Sequence, residues 1–229
     1  AVQGPKCKDI LMTLSGGRQL TPENVKNALN SLTMEGKPVR IAKTGYTGEP
    51  IGYELYCNSE DARYFWDRLI ELGAKPTALG ARDTTRMEAA LPLYGHEMGE
   101  CEMGGEIQIY AVPLAKFAVS FDEAKGDFIG REPLKKQFEA LKKIMNRDYS
   151  SIEDLPYRIQ PIYLEGKGVL RKGFPIYCKD AWAEGKQIGY VTSGTMIPYY
   201  KTRGEGLETV FTEETGKRSI GLAYMDSRI

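Results

Sequence analysis

Residues 37–73 read KPVRIAKTGYTGEPIGYELYCNSEDARYFWDRLIELG, and this stretch decides the fold class. Lys37 to Thr44 and Gly52 to Cys57 each read as a strand. In the second run Tyr53, Leu55 and Cys57 fall on one face, and Glu54 and Tyr56 on the other. That is the period of two of a strand with one buried face. The segment Gly45 to Ile51, rich in glycine and proline, joins the two runs. It is longer than a hairpin turn needs, and overlong loops are where binding groups tend to sit. Ser59-Glu60-Asp61 then opens a helix, with Ser59 as cap and two acids in the first turn, where the helix dipole favours them. Ala62, Phe65, Trp66, Leu69 and Leu72 form its apolar stripe, and Gly73 stops it.

Upstream, Pro5 to Leu14 reads as a short helix, with Pro5 at its first position and Ile10, Leu11 and Leu14 on one face. Thr21-Pro22-Glu23 reads as a second helix start, Thr21 as cap, followed by Val25, Ala28, Leu29 and Leu32 on one face. The order helix, helix, strand, strand, helix predicts an α+β layer with helices on an antiparallel sheet.

Downstream, Gly80 to Leu91 is a predicted helix stopped by Pro92, and Arg131 to Arg147 is another. Leu134, Phe138, Leu141, Ile144 and Met145 form the apolar stripe of the latter. Lys135, Lys136, Lys142, Lys143 and Arg147 fill its other side, which reads as a solvated face because no aromatic residues interleave with the charges. The stretch Asp148 to Tyr157 is polar, and a domain boundary is placed there, dividing 1–150 from 151–229. Beyond it the β-like runs Ile159 to Leu164, Pro175 to Cys178, Lys186 to Thr192 and Arg218 to Tyr224 alternate with glycine-rich turns. They predict a small all-β barrel or sandwich. Lys201 to Gly216 reads as a polar loop, and Thr192 to Thr195 as a turn packed against the first domain.

The 229 residues are 41% hydrophobic and 27% charged, a globular balance. Lys plus Arg equals Asp plus Glu at 31 each, so no global field draws nucleic acid or an anionic membrane. No apolar run approaches a bilayer span. The start, Ala1 to Lys6, lacks the basic and apolar parts of a signal peptide and has no Met, and reads as the beginning of a piece of a longer protein. Cys7, Cys57, Cys101 and Cys178 form no CxxC pair, and His96 is the one histidine. No zinc site is therefore expected, and the thiols read as reduced in a cytoplasmic compartment.

Five segments, in order, resemble the glycine cleavage T-protein family of aminomethyltransferases. They are Val2-Gln3-Gly4-Pro5; Thr44-Gly45-Tyr46-Thr47-Gly48-Glu49; the long run from Leu79-Gly80-Ala81-Arg82-Asp83 through Arg86-Met87-Glu88 to Leu93-Tyr94-Gly95; Gly126-Asp127-Phe128-Ile129-Gly130-Arg131; and Val191-Thr192-Ser193-Gly194-Thr195 followed by Ile220-Gly221-Leu222-Ala223-Tyr224. The third is the most specific, and the resemblance extends over nearly the whole chain. It implies a folate-binding α+β region followed by a C-terminal β-barrel. It also implies transfer of an aminomethyl group from a lipoylated carrier protein to tetrahydrofolate, with release of ammonia.

The resemblance matches Glu88 to the glutamate that holds the pterin. A carboxylate can accept two N–H bonds side by side from a pterin edge. The plain alternative is an ion pair with Arg86 or Arg82 on the helix surface. Tyr46 and Glu49 lie in the overlong loop, where flanking glycines let backbone approach a ligand; a tyrosine that simply packs is the alternative. Tyr94 walls a pocket or packs in the core. Arg131 offers a guanidinium to the glutamyl tail of folate, with Lys125 as the competing position and pairing to Glu132 or Asp127 as the alternative. His96 reads as a surface residue. Ser193 has no nucleophile elbow around it and is not expected to attack.

The family's catalytic aspartate lies upstream of the Gln-Gly-Pro segment and so is expected outside this chain, as are the family's last barrel residues. The stretch Ile109 to Ala115 differs from the family's usual run, which leaves donor specificity open. A folate-dependent demethylase of a small methylated amine or sulfonium compound is the alternative within the superfamily, and a non-catalytic folate-binding protein is the alternative outside it.

Overall fold

A computed structural model describes residues 1–23, 25 and 27–229. The chain forms two compact units, Ala1–Leu91 and Pro92–Ile229. The expected α+β class holds: each unit is built on a four-stranded antiparallel sheet with a few helices. The boundary at 150/151 falls inside the second compact unit.

The first unit contains β1 (Val2–Gln3), helix α1 (Cys7–Leu14), β2 (Leu29–Met34), β3 (Lys37–Ala42), β4 (Gly52–Cys57), α2 (Ala62–Glu71) and α3 (Leu79–Glu88). Its strand order is β1-β4-β3-β2. Cys7, Leu11 and Leu14 of α1 and Phe65 of α2 pack with Met34, Val39, Ile41 and Tyr53 of the sheet. Glu35 and Gly36 both take positive φ, 46° and 82°, which joins β2 to β3 by the tight turn that matches strand twist. Arg68 of α2 then grips the turn, its Nε and Nη2 donating to the Glu35 carboxylate at 2.9 and 2.7 Å. The Tyr64 hydroxyl adds a third bond at 2.6 Å. Gly73, at φ 93°, ends α2 as expected.

Three expectations for this unit need correction. Leu29 and Leu32 lie in β2, not in a helix; Asn24 and Lys26 of the expected helix lie outside the described residues. Leu32 and Met34 turn inward at a spacing of two, while Leu29 is 62% exposed. Ser59 makes no side-chain cap; a 3-10 turn, Ser59–Asp61, precedes α2, and Asp61 pairs with Lys37. The buried stripe of α2 is narrower than expected: Phe65 is buried, Leu69 and Leu72 pack partly, and Trp66 is 53% exposed.

The second unit contains α4 (Ala115–Ala118), α5 (Arg131–Met145), β5 (Tyr157–Leu164), β6 (Pro175–Tyr177), β7 (Gln187–Arg203) and β8 (Val210–Asp226). The sheet order β5-β8-β7-β6 forms a half-barrel. Ala140, Leu141 and Ile144 of α5 share one core with Tyr110, Ile159, Tyr190, Leu222 and Tyr224. Met145, expected in the stripe, is exposed. The expected loop at 201–216 is instead the far end of the β7–β8 hairpin, with Thr202 opposite Phe211 and Arg203 opposite Val210. Thr192 to Thr195 lie inside β7 beside a bulge, not in a turn. All four cysteines carry free thiols. No helix among the described residues is long and apolar enough to cross a membrane.

Two predictions follow from the α2 face. Phe65→Ala should cost about 3–5 kcal/mol of unfolding free energy in urea titrations, whereas Trp66→Ser should stay within about 0.5 kcal/mol of wild type. Arg68 and Tyr64 hold the Glu35 carboxyl at about 2, below its ordinary 4.5. A depressed carboxyl stabilises the fold above its unfolded value and loses that contribution as pH falls through its folded value. Thermal melts of Glu35→Gln should therefore show a flatter acid limb than wild type between pH 4.5 and 2.

Candidate functional site

The connection between β3 and β4 is the long loop of the first unit. Glycines at both ends and in the middle shape it. At Gly48 the φ is 83°, and an added Cβ would overlap the Cβ of Ala89. The loop that carries Tyr46 and Glu49 therefore lies directly against the residue that follows Glu88. Asn27, Lys43, Thr44, Gly45, Glu49, Pro50 and Gly52 line a depression of about 240 Å³.

Helix α3 delivers Glu88 at its last turn. Ala90 has φ 54°, and the Leu91 N–H turns back to the Arg86 carbonyl at 2.8 Å, so the helix ends before Pro92. Glu88 is exposed, and among the described residues no hydrogen bond or ion pair engages its carboxylate. The alternative of a surface pair is not formed. Arg86 is 2% exposed; its Nε and Nη2 reach Asp83 Oδ1 at 2.7 and 2.6 Å, and its Nη1 donates to the Leu91 carbonyl at 3.1 Å. Both Glu88 oxygens are thus uncommitted among the described residues and can accept from outside donors.

The other two expected residues belong to the second unit. Tyr94 is 80% exposed, which excludes the core reading within its unit; its ring covers Gly99, and it bridges to Met98. Arg131 begins α5. Its Nη1 lies 3.4 Å from Glu132 Oε1, and its Nε is buried without a hydrogen-bond partner. A buried donor left open costs free energy until something accepts from it. An anionic group would supply such an acceptor. Asp127 accepts from the Phe128 N–H at 2.9 Å, and Lys125 sits 4.1 Å from the Phe128 ring centre.

One cluster escaped the sequence reading. Glu97 is fully buried, and its carboxylate accepts from the Leu93 N–H at 2.8 Å and the Ser193 hydroxyl at 2.6 Å. His96 is not simply a surface residue: its Nδ1 lies 3.2 Å from both Ser193 Oγ and the Thr192 carbonyl. Ser193 is 3% exposed, and its short bond to Glu97 commits the hydroxyl proton. The hydroxyl therefore ties the segment after Pro92 to β7. Its partners lie 96 and 97 positions away, so no local signal announces them.

A family model described as the GCVT N-terminal domain matches residues 1–111. An aminomethyltransferase from Bacillus mycoides is 35% identical over 237 residues, covering 99% of this chain and 51% of that protein. An aminomethyltransferase from Halalkalibacterium halodurans is 37% identical over 231 residues, with the same coverages of 99% and 51%. The chain spans about half the length of the curated relatives it matches. Among solved structures, the glycine cleavage system aminomethyltransferase T from Bartonella henselae aligns with a TM-score of 0.54 at 20% identity, over 98% of this chain and 50% of that one. At that identity the likeness speaks for the fold alone.

Removing the Ser193 hydroxyl leaves the buried Glu97 carboxylate short of a donor. Ser193→Ala should lower unfolding free energy by about 1–3 kcal/mol in denaturant titrations; unchanged stability would show that the hydroxyl does not serve Glu97.

Proposed function

We propose that the chain is a later part of a T-protein-type aminomethyltransferase, like the relatives it matches over half their length, and that it supplies the tetrahydrofolate site of a glycine cleavage transferase. In this reading a lipoylated carrier protein presents the aminomethyl group. Tetrahydrofolate accepts the one-carbon unit as methylene-tetrahydrofolate, and ammonia leaves.

The observation that carries the reading is the state of Glu88. An exposed carboxylate without an internal partner stands at the end of α3, with the glycine-shaped loop of Tyr46 and Glu49 packed against the next residue. Two parallel acceptors in one plane suit the adjacent N–H groups of a pterin. Glu88 would bind the ring and fix its orientation. Glu49 and Tyr46 would border it from the loop. In the second unit, taken by itself, Tyr94 offers an exposed aromatic face, and Arg131 has a buried Nε without an acceptor, a group suited to a carboxylate of the folate tail. The residues at 1–150 would form the folate-binding part, and those at 151–229 the barrel domain. The chain's own residues are assigned binding and orientation, and no proton transfer is assigned to them.

The test is a calorimetric titration of a stable reduced folate into wild type and Glu88→Ala. Wild type should bind, and the substitution should weaken binding by about 1.5–3 kcal/mol, the range for hydrogen bonds to a charged group. Equal binding by both proteins would remove Glu88 from the site. Turnover of a lipoylated carrier protein, in place of a small methylated amine, would separate the transferase from a demethylase built on the same folate site.

A further inference from the structure

The β3–β4 loop carries two proposed ligand contacts, yet no strand ladder holds it: β3 ends at Ala42 and β4 begins at Gly52. Its backbone carbonyls need donors. A binding loop also gains affinity by being ordered before its ligand arrives. Both needs converge on one side chain. Gln3 lies in β1, and the strand register sets it opposite Gly52. Its Nε2 donates to the Thr44 carbonyl at 3.1 Å, where the chain leaves β3, and to the Tyr53 carbonyl at 3.3 Å, where β4 begins. Its Oε1 accepts from the Thr47 hydroxyl at 3.1 Å, in the middle of the loop. Both amide protons and the amide oxygen are thus engaged.

The glycines at the two ends follow from the same contact. A Cβ at Gly45 or at Gly52 would overlap the Gln3 amide. The amide fills the space between the ends of the loop, and only glycine lets both ends close on it. The neighbouring backbone adds a second tie, with the Gly4 N–H donating to the Ile51 carbonyl at 3.3 Å.

We infer that Gln3 is a positioning residue: its amide closes the β3–β4 loop and thereby sets where Tyr46 and Glu49 stand for a ligand. The inference takes its ligand from the proposed function and its loop-closing part from geometry alone. Gln3→Glu preserves shape but turns an acceptor toward two carbonyl oxygens. Thr47→Val preserves shape and removes one bond.

Hydrogen–deuterium exchange and reduced-folate titration on both variants, with Glu88→Ala as control, test the inference. Gln3→Glu should speed exchange within residues 44–52 while α2 and the β2–β3 hairpin keep wild-type rates. It should weaken folate binding about tenfold, because only a fraction of molecules would hold the loop ready. Thr47→Val should do the same to a smaller degree, and it decides the matter if Gln3→Glu does not fold. Glu88→Ala should weaken binding with loop exchange unchanged. Wild-type exchange rates in both loop variants would overturn the inference, as would a loosened loop with undiminished folate affinity. A wild type that binds no folate would sink the functional reading instead, and the exchange rates would then decide alone whether Gln3 orders the loop.

Discussion

The first unit depends on how the chain between Ala42 and Gly52 is closed. β3 and β4 pair from Val39–Cys57 to Ala42–Glu54 and then part. Beyond that point the backbone polar groups have no ladder, and a loop of that length without partners would sample many conformations. The short strand β1 resolves the problem by adding an edge to β4 exactly where the loop returns, and by sending one amide side chain across its mouth. The helix α1 anchors that strand: Cys7, Leu11 and Leu14 are buried in the core beneath the sheet. Core packing of α1 is thus converted into the placement of a surface loop, which is how a rigid scaffold positions binding groups.

The second unit shows the same economy with a different device. Its sheet has long strands, and β7 and β8 run on past the half of the sheet that is covered. The covered half is buried from Ile188 to Ser193 and from Gly221 to Ser227; the far end, residues 200–211, is exposed. Cross-strand contacts such as Lys201 with Glu214, 3.0 Å apart, run along the ribbon without a core. Near the covered half, Glu97 and Ser193 fasten the segment that follows Pro92 to β7.

What could be read in the sequence divides along physical lines. β3, β4, α2 and α5 were legible because one face of each is buried and the other is wet, so burial writes a period into the residues. β2 was misread because Ala28 and Leu32 satisfy a helical spacing as well as Leu32 and Met34 satisfy a strand, and an edge strand exposing Leu29 gives little to choose between them. The distal β7–β8 ribbon reads as a loop in the sequence because a strand wet on both faces carries no alternation. Glu88 and the loop could be singled out as a motif, but not the contact of Gly48 with Ala89 that brings them together. Gln3 and Ser193 lie in segments that resemble the family, but their partners are tens of residues away, so the contacts they make have no local signal.

The two glutamates that bracket Pro92 show why burial has to be known before a role is assigned. Glu88 and Glu97 share a chemistry and a charge. Glu97 lies fully buried and accepts from a backbone N–H and a hydroxyl, the condition under which a carboxylate survives desolvation. Its oxygens are committed, so its contribution is to the fold. Glu88 stays in water with its oxygens uncommitted by the chain. Leaving it there costs the fold little, because an exposed carboxylate is already solvated. A planar pair of acceptors facing out beside an ordered loop therefore gains most from a ligand that brings its own donors, and the arrangement of α3, the loop and β1 keeps it so.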